Sequence, residues 1–155
     1  MKLITATIIF AILCSFATSK TISYRQLNWK DFKGKPDSRG VALTTSQIYF
    51  ETNYSNGKYY FLVSSQFIPE KSFTTTTKER ILRHEQLHFD ITELIVRRLK
   101  EQLKSVTTEK EANALFSKYV KQWNELEQQY DRETNFSINQ EQQERWEREI
   151  KDQLR

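Results

Sequence analysis

From Glu70 to Arg155 the chain contains neither glycine nor proline; all three glycines and both prolines lie between Gly34 and Pro69. That asymmetry divides the backbone into two regimes. Up to about residue 75 the chain has the residues that turn a backbone, and it holds most of the Thr, Tyr and Phe, which favour strands. From about residue 76 it is rich in Glu, Gln, Lys, Arg and Leu, which favour helices, and nothing interrupts them. The expected fold class is α+β: a small antiparallel sheet followed by a three-helix half.

In the first regime, Asn56-Gly57 sits between two strand-like runs, Val41 to Thr52 and Lys58 to Ile68. Asn-Gly is the preferred pair for a two-residue hairpin turn. Tyr59, Phe61, Val63 and Phe67 alternate onto one side of the second run. Leu27 to Gly40 reads as a loop with Trp29 and Phe32 as hydrophobic plugs. In the second regime, Thr76 with Glu79 has the spacing of a capping box that opens a helix to about Ser105. Thr108 with Glu111 opens another, with Ala112, Phe116, Tyr119, Trp123, Leu126 and Tyr130 forming an apolar stripe. Thr134 to Asn139 breaks that pattern, and Ser137 with Gln140 is spaced to cap a third helix carrying Trp146, Ile150 and Leu154.

Residues 1–19 follow a different logic. Lys2 precedes an uncharged apolar run from Leu3 to Phe16, and Ala17-Thr18-Ser19 offers small residues at a cleavage point before Lys20. This is the layout of a secretion signal peptide, so the protein is expected to be exported to a periplasmic or extracellular space, with residues 20–155 as a single domain. The run is short for a membrane span and no second one follows, so no stable membrane span is expected after cleavage; an uncleaved N-terminal anchor is the alternative. Cleavage would also remove Cys14, the one cysteine, and with it any disulfide or thiolate site.

The formal charge is +4, with acids and bases interspersed. There is no glycine-rich phosphate loop and no base-stacking aromatic pattern, so no nucleic-acid partner is expected.

Both histidines of the chain lie in "RHEQLH", Arg83 to His88. Four residues apart on a helix, His84 and His88 share a face and can reach one metal ion. Glu85 projects from the flank of that face, placed to act on a metal-held water as general base. Ile81, Ile91 and Ile95 lie on the same face. A buried face also accommodates histidines that are only hydrogen-bonded core residues. A catalytic zinc needs a third protein ligand. With no other histidine and no cysteine beyond residue 19, that ligand must be an acid. Asp90 and Glu93 point away from the histidine face at 100° per residue, so it must come from another element.

Three blocks, "LNWKDFKGKPD", "ILRHEQLHFDITEL" and "YDRETNFSINQEQQERW", together resemble the bacterial domain of unknown function 922, described as predicted secreted zinc-dependent proteases. The resemblance spans nearly all of residues 20–155. It implies a zincin-like metallopeptidase with Zn2+ as cofactor, His84 and His88 as ligands and Glu85 as general base. The family pattern in the third block places a histidine where this chain has Phe136. Asp131, or Glu133, is then the candidate to complete the ligand set, and Asp131 is the first choice. Tyr130 is a candidate oxyanion or substrate donor, with core packing as its alternative.

Two functional classes follow. The first is an exported zinc peptidase acting on a peptide or protein substrate, with the strand Tyr59 to Phe67 as a candidate substrate edge, or, as the reading its residues favour, an ordinary paired strand. The second is a non-catalytic relative that binds a cell-envelope partner, motivated by Phe136 at the histidine position. A charged helical adaptor without any site is supported only by the Glu/Gln/Lys-rich composition, which solvated helix faces explain equally well.

Overall fold

The computed structural model describes residues 20–155; the expected signal segment lies outside the described residues. Five strands precede three helices in chain order: β1 (Ile22–Ser23), β2 (Ala42–Leu43), β3 (Ser46–Ser55), β4 (Lys58–Phe67), β5 (Phe73–Thr74), α1 (Glu79–Leu103), α2 (Glu109–Thr134) and α3 (Gln140–Gln153). The fold is α+β, as the glycine and proline distribution implies.

β3 and β4 form an antiparallel hairpin in register from Ser46↔Phe67 to Ser55↔Lys58, and β1 pairs with the far end of β4. The turn is Asn56-Gly57 with φ of +51° and +76°, the left-handed pair that matches strand twist. On β4 the odd-numbered residues from Tyr59 to Phe67 face inward, with Val63 and Phe67 buried. The run expected as one strand from Val41 divides at Thr44-Thr45. β2 leaves to pair with β5, and Thr45 is held by Ser72 Oγ and the Lys71 carbonyl.

α1 is the axis of the molecule. It packs on β3 and β4 on one side and on α2 and α3 on others. Its residues enter all three apolar clusters. Ile95, Val96, Leu99 and Leu103 meet Val63, Ala112 and Tyr119. Leu87, Ile91 and Leu94 meet Tyr130, Trp146 and Ile150. Phe89 meets Leu27, Phe32 and Phe67 beneath the N-terminal loop, with Trp29 tilted against Phe32. The two predicted plugs therefore seal one end of the core.

The helix caps differ in part from expectation. Thr108 does cap α2, accepting from the Glu111 amide at 3.3 Å. α1 begins at Glu79 after Lys78, with no side-chain cap. The reason is local: Thr74 and Thr76 use their hydroxyls in successive turns upstream, accepting from the Thr76 and Lys78 amides. α3 is capped by Asn139, which accepts from the Gln142 amide, and not by Ser137.

A test of the hairpin assignment is Gly57→Ala. The added Cβ meets nothing within 4 Å, so its cost comes from φ alone. Urea unfolding should show a loss of about 1 kcal/mol, with an unchanged denaturant slope.

Candidate metal centre

α2 returns antiparallel to α1 after a short connection, which brings its last turns against the first turns of α1. His84 and His88 are one turn apart on α1. Glu127 and Asp131 are one turn apart on α2 and face them. Asp131 Oδ1 lies 3.3 Å from His84 Nε2 and 3.2 Å from His88 Nε2, and the two Nε2 atoms are 3.3 Å apart. The three residues form a potential metal-binding group, their ligand atoms all within 4.8 Å of one another. Asp131 is therefore the acid that the structure brings to the histidine pair. Glu133 is not: its carboxylate takes the Trp146 indole at 2.8 Å, with Gln129 and Arg145 beside it.

The donor triangle has the dimensions of a coordination face. Zinc bonds of about 2.0–2.2 Å at tetrahedral angles place neighbouring donors roughly 3.3–3.5 Å apart. Asp131 Oδ1 is also fully buried and makes no hydrogen bond, although two ring nitrogens are close. A buried carboxylate oxygen without a donor is costly, and it is the kind of atom a cation would satisfy.

Each histidine is oriented from behind. His88 Nδ1 is hydrogen-bonded to Glu127 Oε2, and Trp123 Nε1 donates to Glu127 Oε1 at 3.1 Å. His84 Nδ1 meets Gln143 Oε1 at 3.2 Å. Gln143 Nε2 donates to Glu147 at 3.0 Å, and a carboxylate can only accept, so the amide's oxygen must face His84. Both Nδ1 atoms therefore carry a proton, and both Nε2 atoms face a shared centre, where a metal ion would take the place of any Nε2 proton. Sequence reading missed Glu127 and Gln143. For Glu127 a signal existed, since it precedes Asp131 by one helical turn. For Gln143 none did, because it is one of many glutamines on a polar-looking helix.

Tyr130 is entirely buried. Its ring stacks on His84 at 4.7 Å between centroids, and its hydroxyl donates to Gln143 Oε1 at 2.7 Å, with the His84 carbonyl at 3.2 Å. Burial pushes its phenol well above the ordinary value, so it remains a donor. That single proton is directed at Gln143, which gives Tyr130 the packing and positioning role and not a substrate-facing one.

Glu85 is 5% exposed and lines a cavity of about 320 Å³ together with His84, His88 and Asp131. Thr44 Oγ1 donates to the Glu85 carbonyl at 3.0 Å, and Ser46 joins Thr92 one turn beyond His88 at 2.7 Å. These ties lock the start of the sheet to the motif. The strand segment lining the cavity is Val41 to Thr44; the Tyr59–Phe67 run is an ordinary paired strand at the centre of its sheet. Asp90 faces elsewhere, accepting from Tyr24 at 3.0 Å and Gln86 at 2.6 Å, which anchors the N-terminal loop to α1.

The opposite wall is the turn after α2. Asn135, Phe136 and Ser137 have φ of +47°, +50° and +73°, three successive left-handed residues without a glycine. Such conformations cost about 1–3 kcal/mol each and persist only where the surroundings impose them. Here the Phe136 amide donates to the Asp131 carbonyl at 3.0 Å, and Arg80 on the first turn of α1 donates to the carbonyl and hydroxyl of the buried Ser137.

Burial alone would depress the His88 imidazolium, but the facing Glu127 and Asp131 carboxylates outweigh it and hold the group well above 6.5. Burial alone would raise Asp131, but the two adjacent imidazoles hold it well below the usual carboxylate range. The signs are opposite. Without metal, His88 contributes stability that is complete below its ordinary pKa and lost as pH rises through the raised value. Asp131 contributes above its ordinary pKa, and that is lost only in strong acid. A metal ion must displace the His88 proton, so divalent-metal affinity should rise with pH. Calorimetry at neutral pH in buffers of different ionisation heat should show about one proton released per ion bound. Glu127→Gln and Gln143→Leu should each weaken metal binding by about 10–100-fold.

In comparison with known proteins, the family model described as Bacterial protein of unknown function (DUF922) matches residues 18–141. No curated protein matches, and no solved structure matches.

Proposed function

The chain belongs to the DUF922 family of bacterial proteins of unknown function, and from that premise we propose that it is an exported, zincin-like, zinc-dependent peptidase. The observation that carries the reading is the donor triangle of His84, His88 and Asp131, with edges of 3.2–3.3 Å, opening into a cavity beside Glu85. Two imidazoles and one carboxylate form a three-ligand set of the kind hydrolytic zinc sites use. Bound there, zinc would polarise a peptide carbonyl and bring the pKa of a water towards neutrality. The remaining work falls to the protein. Glu85 takes the proton of the attacking water and delivers it to the departing amine nitrogen. Its near-complete burial keeps that exchange away from bulk solvent. Glu127 and Gln143 hold the two imidazoles in the tautomer that presents Nε2, and Tyr130 holds Gln143.

Export rests on the signal-like segment before Lys20; among the described residues no helix is long and apolar enough to cross a membrane. A non-catalytic relative that binds a cell-envelope partner is the second reading. It is favoured by the balance of His88 against Glu127 and Asp131, which places opposite charges together without any metal.

Zinc content separates the two. Residues 20–155 incubated with zinc and dialysed should retain about one zinc per chain by elemental analysis, and Asp131→Ala should lose it. Glu85→Gln should keep the metal while peptide hydrolysis falls by about 10²–10⁴-fold. No retained zinc would leave the binding reading standing. Loss of zinc in Glu85→Gln would make Glu85 a structural residue.

A further inference from the structure

The metal cavity has two chemically different parts. Its floor carries His84, His88, Asp131 and Glu85, whereas its walls carry apolar side chains from two separate elements. On one side stands Val41, 54% exposed, at the entry to β2. On the other stands Phe136, 67% exposed, in the turn after α2. A single exposed phenylalanine ordinarily needs no explanation. This one is held in a left-handed conformation that bulky residues avoid, and its ring lies outside the three apolar clusters that stabilise the fold.

The backbone on both sides of the ring is fixed. The Phe136 amide is bonded to the carbonyl of Asp131, and Ser137 is 3% exposed and clamped by Arg80. One hydrogen bond thus ties the backbone that carries the ring to a ligand of the metal centre. The turn holds an aromatic surface at the mouth of the cavity, where a substrate's side chain would lie. A strained residue at a site, with its flanks over-determined, is a pattern that functional contacts produce.

We propose that Phe136, with Val41 across the cavity, is the specificity-determining wall of the site and selects peptides with a bulky apolar side chain beside the cleaved bond. This rests on the peptidase reading above. The volume of about 320 Å³ accommodates one large side chain next to the metal group and not an extended apolar segment.

The test measures binding, so that it does not depend on turnover. Zinc-loaded residues 20–155 are titrated calorimetrically with N-acetyl-phenylalanine hydroxamate and with N-acetyl-glycine hydroxamate. The two share the metal-binding head and differ in the side chain. The wild-type protein should prefer the phenylalanine compound by tenfold or more. Phe136→Asn, which tolerates the left-handed backbone, should reduce that preference about tenfold without weakening the glycine compound. Val41→Ser, on a different element, should reduce it in the same direction. Tyr60→Asn, which removes an exposed aromatic from the sheet, should leave it unchanged. An unaltered preference in Phe136→Asn, or an equal loss for both compounds, overturns the proposal. Failure to hold zinc or either hydroxamate overturns the peptidase reading and this one together. Intact hydroxamate preference with no hydrolysis of any peptide overturns only the catalytic step.

Discussion

His84, Glu85 and Gln86 are consecutive polar side chains, each 5% exposed, on a helix that apolar clusters surround. Taking such groups out of water costs about 1–3 kcal/mol apiece unless each finds a partner. Much of the remaining architecture supplies those partners. Gln86 is satisfied from the N-terminal loop side, where it accepts from the Leu27 amide and donates to Asp90. His84 is satisfied from α3 through Gln143, and His88 from α2 through Glu127. Three different segments therefore dock on α1 by polar contacts that only α1 makes necessary. The apolar clusters supply the bulk of the driving force, and the buried polar groups specify the register in which the segments settle.

Asp131 is the exception within this scheme. Its Oδ1 is buried close to two ring nitrogens yet lacks hydrogen-bond geometry to either. A fold optimised only for packing would gain by turning that carboxylate to solvent or replacing it with an apolar residue. Its retention in a triangle with coordination-like edges argues that the position is set by something the triangle holds. Antiparallel helices make this arrangement easy to build. Two residues spaced by four on α1 face two residues spaced by four on α2, so a single packing angle aligns both pairs.

The parts of this design that obey local rules were legible in the sequence. The hairpin at Asn56-Gly57, the helical second half and the His84–His88 face each follow from residue spacing within one element. Elimination, with no other histidine or later cysteine, reached only an acid on another element; the resemblance of the third block singled out Asp131. Glu127, Gln143 and the Arg80 clamp were not legible, because their roles exist only after α2 and α3 have packed on α1. The caps at Thr76 and Ser137 failed for a related reason. Their hydroxyls had stronger uses nearby, Thr76 in a local turn and Ser137 under Arg80, and a capping pattern does not reveal such competition. Tyr130 satisfied two patterns at once, an apolar stripe and a neighbour of the ligand. The structure shows one side chain serving both, with the ring in the core and the hydroxyl orienting Gln143.

The turn from Asn135 to Ser137 shows how the absence of glycine becomes a structural constraint. A chain that reverses between two helices commonly places glycine at the left-handed position after the first. Here three non-glycine residues occupy that region in succession, so the turn is unfavourable by itself and must be held from outside. Arg80 holds it from α1, and the Asn139 amide holds it by bonding the Thr134 carbonyl at 2.8 Å. The Arg80 tie also fixes the end of α2 against the start of α1, which is the spacing that brings Asp131 to the histidines. A glycine in place of Phe136 would relieve the backbone and also loosen the connection between strain, clamp and ligand position. The non-glycine turn thus couples the end of α2 to the metal centre, and any residue accepted at position 136 necessarily becomes part of the site's wall.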